Sequence, residues 1–87
     1  MKTPRVCLVD WLDSSGASGW QLIEDAAVME PDPCTSVGFV IAETEDRLTL
    51  LQSFTNRKAT AKAKDMGDHA LTIPKCSITR VVVLRKA

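Results

Sequence analysis

The chain has a single histidine, His69, so any histidine-activated nucleophile must be built around it. A thiol or hydroxyl nucleophile needs a base within hydrogen-bond reach, itself held by a third group. Cys7 and Cys76 are the thiols that could meet His69 in space, but no spacing in the sequence ties either of them to it. Beside Asp68 and at the head of a β-rich run, His69 reads as a surface or structural residue, and no catalytic residue is assigned. Metal chemistry would require ligands at short, regular spacing, such as Cys-x-x-Cys or His-x-x-x-His. The sequence contains neither pattern. No metal and no cofactor is therefore expected, and the cysteines Cys7, Cys34 and Cys76 read as small buried apolar groups, Cys34 being the one open to exposure.

Carboxylates cluster at Asp10/Asp13, Glu24-Asp25 and Glu43-Glu45-Asp46. The last two sets fit the solvated side of a helix and of a turn. Asp10 and Asp13 bracket Trp11 where a strand passes into a loop, and Asp13 is placed to cap that loop. A sharper signal comes from Arg57, Lys58, Lys62 and Lys64, four cations in eight residues with no acid before Asp65. Such a segment can follow phosphates or hold a small anion without reading a base sequence. With Trp20, which follows Gly19 and could line a groove or a subunit contact, these cations form the candidate anion-binding set. Nucleic acid is the less favoured ligand, because no aromatic residue is interleaved among them and the pI is near 6.5.

Eighty-seven residues with 45% hydrophobic and 25% charged side chains make one globular domain, 1–87, with one modest core. Three cysteines do not make a disulfide framework, and no apolar run reaches the length needed to span a bilayer. A reducing cytoplasm is the expected location, with no membrane partner. Zero net charge hides an asymmetry. Residues 1–46 carry nine acids against Lys2 and Arg5, and residues 47–87 carry nine bases against Asp65 and Asp68. These halves could neutralise each other within one molecule or draw copies together into a homo-oligomer.

The elements that must position these groups follow from periodicity. Val6–Leu12 alternates as a strand, with Cys7, Val9 and Trp11 on one face and the inward stripe including Trp11. Asp13–Gly19 is a loop rich in serine and glycine. Trp20, Ile23, Ala27 and Val28 follow helical spacing, which predicts about two turns of helix ended by Pro31-Asp32-Pro33. Thr35–Glu43 and Leu48–Phe54 form a hairpin around the polar turn Thr44–Arg47. Gly38 within it suggests a bulge or sharp bend. Thr55–Asp68 reads as a long polar loop, with a helical turn over Ala59–Lys64 as the alternative. His69–Ile73 and Ile78–Arg85 complete five strands, joined by a tight turn at Pro74–Ser77.

The segment Ser36-Val37-Gly38-Phe39-Val40-Ile41, then Asp46 and Leu48-Thr49-Leu50, resembles the glycine-containing bent hairpin of SH3-like and Sm-like small barrels. Leu71-Thr72-Ile73-Pro74-Lys75-Cys76-Ser77-Ile78 resembles the short junction of their last two strands. With Val9–Ser14 and Gly19-Trp20, the whole pattern looks like small phage or prophage proteins of unassigned function. The resemblance implies a mostly-β, five-strand SH3-like/Sm-like barrel with one short helix between strands 1 and 2. Arg47, Leu48 and Thr49 follow Asp46 where Sm-like RNA binders carry an asparagine, so that family's RNA loop is not implied. The expected function is a non-enzymatic, homo-oligomeric and phage-encoded binding protein. It would act on a host protein or sequester a small anionic, nucleotide-like ligand in counter-defence. The alternatives are a nucleic-acid-binding module using residues 57–64 and a structural or assembly subunit.

Overall fold

A computed structural model describes residues 4–55 and 65–85. The described chain is mostly β: five antiparallel strands in one sheet and one short helix. Strand β1 runs Val6–Asp13, helix α1 Ile23–Ala27, β2 Asp32–Glu43, β3 Arg47–Phe54, β4 Gly67–Pro74 and β5 Ile78–Leu84, with a 3-10 turn at Lys75–Ser77 between the last two. Across the sheet the order is β4-β3-β2-β1-β5.

That order makes the last two strands neighbours in the chain but opposite edges of the sheet. In a flat sheet of this size the edges stand about 19 Å apart, at about 4.8 Å per strand. The link from Pro74 to Ile78 is too short to cross that gap, reaching about 14 Å even if drawn straight. The sheet must therefore curl until its edges approach at this end. The 3-10 turn lies against β1, and the Lys75 amide donates to the Asp46 carbonyl in the β2–β3 turn (2.7 Å). No ladder joins β4 to β5 among the described residues, so the sheet is curled but open.

The curl encloses a small core of Cys7, Val9, Val40, Leu48, Leu50 and Ile73, with Trp11, Leu71 and Ile78 packed against it. Strands β1 to β4 supply its inward residues, as the period of two requires, and β5 adds only Ile78 at its margin. Trp11 is on the inward stripe as expected, half-buried, with its indole N–H donating to Ser36 Oγ (3.0 Å). That bond satisfies the one polar atom the ring carries.

Gly38 acts differently from the expectation of a bulge at its own position. The β1–β2 ladder runs unbroken through Cys7↔Gly38. The register shift falls instead between Val40 and Ala42 in the β2–β3 ladder, leaving Ile41 as the extra residue. What Gly38 permits is close approach, since a Cβ there would stand 2.9 Å from the Leu51 carbonyl oxygen and 3.0 Å from Leu50 Cβ. The β2–β3 turn is held by Thr44, whose amide donates to the Arg47 carbonyl (2.9 Å) and whose hydroxyl accepts from the Asp46 and Arg47 amides (both 3.2 Å).

Three elements differ from the sequence reading by more than one residue at a boundary. β2 begins at Asp32, because Pro31-Asp32-Pro33 ends the helix and then enters the ladder at once through Asp13↔Asp32 and Leu12↔Pro33. Pro33 is tolerated there because β3 joins β2 only from Phe39 onward, so β2 is locally an edge and loses no bond on its far side. β4 begins at Gly67 and not at His69, since Phe54↔Gly67 and Ser53↔Asp68 extend the ladder. α1 has five residues and not two full turns, and none of them is buried.

Candidate functional site

Among the described residues three places bring polar or reactive groups together, and they differ in what they can do. The first is a pair of ion-bridged carboxylates that fasten the sheet. Asp10 on β1 accepts from Thr35 Oγ1 on β2 (2.6 Å) and from Arg80 Nε on β5 (2.8 Å), following the rungs Asp10↔Thr35 and Asp10↔Arg80. The Thr35 hydroxyl and then the Arg80 guanidinium hold its carboxyl below the ordinary range. Glu43 at the end of β2 accepts from Lys75 Nζ (2.6 Å) and from the Arg5 guanidinium. The Lys75 ammonium and then Arg5 lower its pKa, and the bond to Glu43 in turn raises that of Arg5. Lys75 and Arg80 belong to the basic half of the sequence and Asp10 and Glu43 to the acidic half. These contacts pair two acids of one half with two bases of the other within one molecule.

The second place is the outer edge around His69. Its Nδ1 stands 3.0 Å from Asp68 Oδ2, and both side chains are largely exposed. The residue has φ 52°, a left-handed conformation unusual outside glycine, and its amide donates to Asp68 Oδ1 (3.0 Å). A shallow hollow of ≈ 450 Å³ opens beside it, lined by Ser36, Val37, Leu50, Gln52, His69 and Leu71. The Ser36 hydroxyl there already accepts the Trp11 indole N–H. Cys7 is buried and Cys34 half-buried. Cys76 is exposed in the 3-10 turn, a correction to its reading as a buried apolar group. Among the described residues no three His, Cys, Asp or Glu side chains gather closely enough to hold a metal ion.

The third place is the connection between β1 and β2, and it is the most unusual surface of the molecule. The β1–β2 ladder continues out to Asp13↔Asp32, beyond the core rungs at Cys7 and Val9. Residues 14–31 therefore leave the sheet past its core. A helix forms there, started by Asp25 and Ala26 amides donating to the Leu22 carbonyl (3.1 Å each), but among the described residues its apolar stripe stays exposed. Trp20 is fully exposed, and Leu22, Ile23 and Val28 are 63%, 87% and 76% exposed. Gly19, at φ 89°, turns the chain immediately before Trp20 in a conformation that other residues adopt only with strain. Ser15 Oγ donates to the Glu30 carbonyl (2.6 Å) and fixes the base of the connection. A hollow of ≈ 400 Å³ lies between that base and Ala26 and Met29.

The charge of this connection has one sign. Residues 14–31 carry Glu24, Asp25 and Glu30 and no lysine or arginine. Asp13, whose side chain accepts the Ser14 amide (2.9 Å) and so caps the loop as expected, and Asp32 opposite it add to the same field.

Of the candidate anion-binding residues, only Trp20 is therefore placed. Arg57, Lys58, Lys62 and Lys64, like the alternative helical turn at Ala59–Lys64, lie outside the described residues. Sequence reasoning singled out Trp20 but missed Leu22, Ile23 and Val28 as surface groups, since helical spacing of apolar residues ordinarily marks a buried face. Among the described residues, no helix is long and apolar enough to cross a membrane. No protein family, curated protein or solved structure matches this chain.

Proposed function

We propose that this is a non-enzymatic binding protein that docks a protein partner through the projecting β1–β2 connection. The supporting observation is the exposure of Trp20, Leu22, Ile23 and Val28 in one short segment whose charges are all acidic. Contiguous apolar surface ringed by polar groups is costly to leave in water and marks interaction sites. Tryptophan is among the residues that dominate binding energy once covered. The acids around it select for a partner surface that is apolar and basic. The curled sheet supports an SH3-like or Sm-like scaffold under this element, with the core holding the hairpin base while the tip reaches out.

This reading assigns Trp20 to a protein surface and not to an anion site, since the charges in residues 14–31 would repel an anionic ligand. The test is calorimetric titration of the full chain with an amphipathic helical peptide of leucine and arginine, its leucine–glutamate counterpart, and cyclic nucleotides. The expected result is binding of the arginine peptide alone, weakened at least tenfold by Trp20→Ala with Ile23→Ala, and weakened by added salt. Binding of nucleotides with no response to either peptide would replace this reading with the anion-sequestering one.

A further inference from the structure

The two edges of the sheet are unequal. β4 carries two features that disfavour a further partner: His69 takes φ 52°, and Pro74, its last residue, has no amide proton to give. Both features are ways in which natural edge strands resist pairing with another chain. β5 has neither. Ile78–Leu84 contains no proline or glycine, and its one charged residue, Arg80, is drawn onto Asp10. Among the described residues β5 is paired only with β1, so its outer backbone edge is open.

Its apolar side chains are also part-exposed on both faces. Val81 and Val83 stand opposite Val9 and Cys7 and so share their face. Val9 and Cys7 are fully buried, whereas Val81 and Val83 are 44% and 42% exposed. The core stops one strand short of the edge. On the other face Val82 and Leu84 are 36% and 41% exposed. Four consecutive part-exposed aliphatic residues on a strand paired along one edge only are a surface open to a further strand.

The sequence of this strand is complementary to itself. We propose that β5 pairs antiparallel with β5 of a second copy about a two-fold axis at Val82, joining two curled sheets into one. In that register Val82 faces Val82 of the second copy. Val81 faces Val83 of the second copy, which continues the buried stripe across the axis. Arg80 faces Leu84 and Thr79 faces Arg85 of the second copy, so no two cations stand directly opposite, an arrangement that would be destabilising. A two-fold contact of this kind closes after two copies. The dimer would carry two β1–β2 connections, but it rests on the edge strand alone and stands whether or not those connections dock a partner.

Light scattering on the eluting full-length protein, with cysteine cross-linking, tests the pairing. The expected mass is twice the 9.5 kDa of the chain, little changed by salt, and halved by Val82→Lys, which sets two cations against each other at the axis. Directly opposed residues of an antiparallel pair have Cα atoms about 4.5–5.5 Å apart, within disulfide reach. In a Cys34→Ser/Cys76→Ser background, Val82→Cys should therefore cross-link to a dimer on mild oxidation while Asp68→Cys on β4 should not. This second arm reads the pairing even if Val82→Lys fails to fold. A monomer at every concentration, or a dimer that Val82→Cys does not cross-link, would overturn the proposal, as would preferential cross-linking through Asp68→Cys.

Discussion

Lys75 Nζ lies 2.6 Å from Glu43 Oε2, and this ion pair ties the turn that joins the two edges of the sheet to the end of its central strand. Arg5 reaches the other oxygen of the same carboxylate, so Glu43 fastens the start of β1, the end of β2 and the 3-10 turn together. The curl of the sheet depends on that turn staying in place. The Lys75 amide, bonded to the Asp46 carbonyl, fixes the backbone of the turn, and Glu43 fixes its side chain.

Acid should loosen this fastening in a defined window. A carboxylate whose pKa is lower folded than unfolded contributes stability above its unfolded pKa, about 4.3 for glutamate, and loses it as pH falls through the folded value. Glu43 and Asp10 are both lowered. The wild-type melting temperature should therefore fall as pH drops below about 4. Glu43→Gln should melt below wild type at neutral pH, and the difference should shrink as the pH is lowered. A difference that stays constant down to the most acid pH would show that Glu43 contributes through packing alone.

Gly38→Ala should be more damaging than Gly67→Ala. A Cβ at position 38 meets the backbone oxygen of Leu51 at 2.9 Å, whereas one at 67 meets the Leu51 side-chain methyl Cδ1 at 2.5 Å. A backbone strand cannot step aside as a leucine end can, so overpacking at 38 should cost about 1–3 kcal/mol. Urea denaturation of the two variants checks the order. Equal or reversed losses would mean that β2 and β3 do not approach as closely as described.

Thiol reactivity should follow burial. Cys76 is exposed, Cys34 half-buried and Cys7 buried, so a thiol reagent should modify Cys76 first, Cys34 more slowly and Cys7 only on unfolding. Reaction rates of the three single-cysteine proteins measure this. Fast labelling of Cys7 in the folded protein would place the β1 core rung at the surface.

The strands were legible because alternation is a local signal. Cys7, Val9 and Trp11, and Leu48 and Leu50, follow it without help from distant residues, and the run Val81–Val83 marks its strand by β-branched density instead. The hairpin at Thr44–Arg47 could be read from its polar turn. The fate of the helix could not be read, because the spacing of Trp20, Ile23 and Ala27 describes an apolar stripe without saying whether anything covers it. Coverage depends on how far β1 and β2 run beyond the core, and that length is set by the pairing of Asp13 with Asp32 across nineteen positions of chain. Likewise Asp10 was noticed for its place beside Trp11, but its partners Thr35 and Arg80 come from strands that only the sheet order makes adjacent. Of the candidate site, Trp20 was found for its residue type, and its neighbours were hidden by the rule that usually buries them.

The proposed docking requires that the β1–β2 connection stand free of the sheet until a partner covers it. Trp11→Phe leaves Trp20 as the sole indole and costs about 1 kcal/mol for the lost bond to Ser36. Its fluorescence should then match N-acetyltryptophanamide in wavelength and acrylamide quenching, and shift to the blue with loss of quenching as the leucine–arginine peptide is added. A blue-shifted, quench-protected Trp20 in the protein alone would contradict the proposed docking, because the connection would then already be covered.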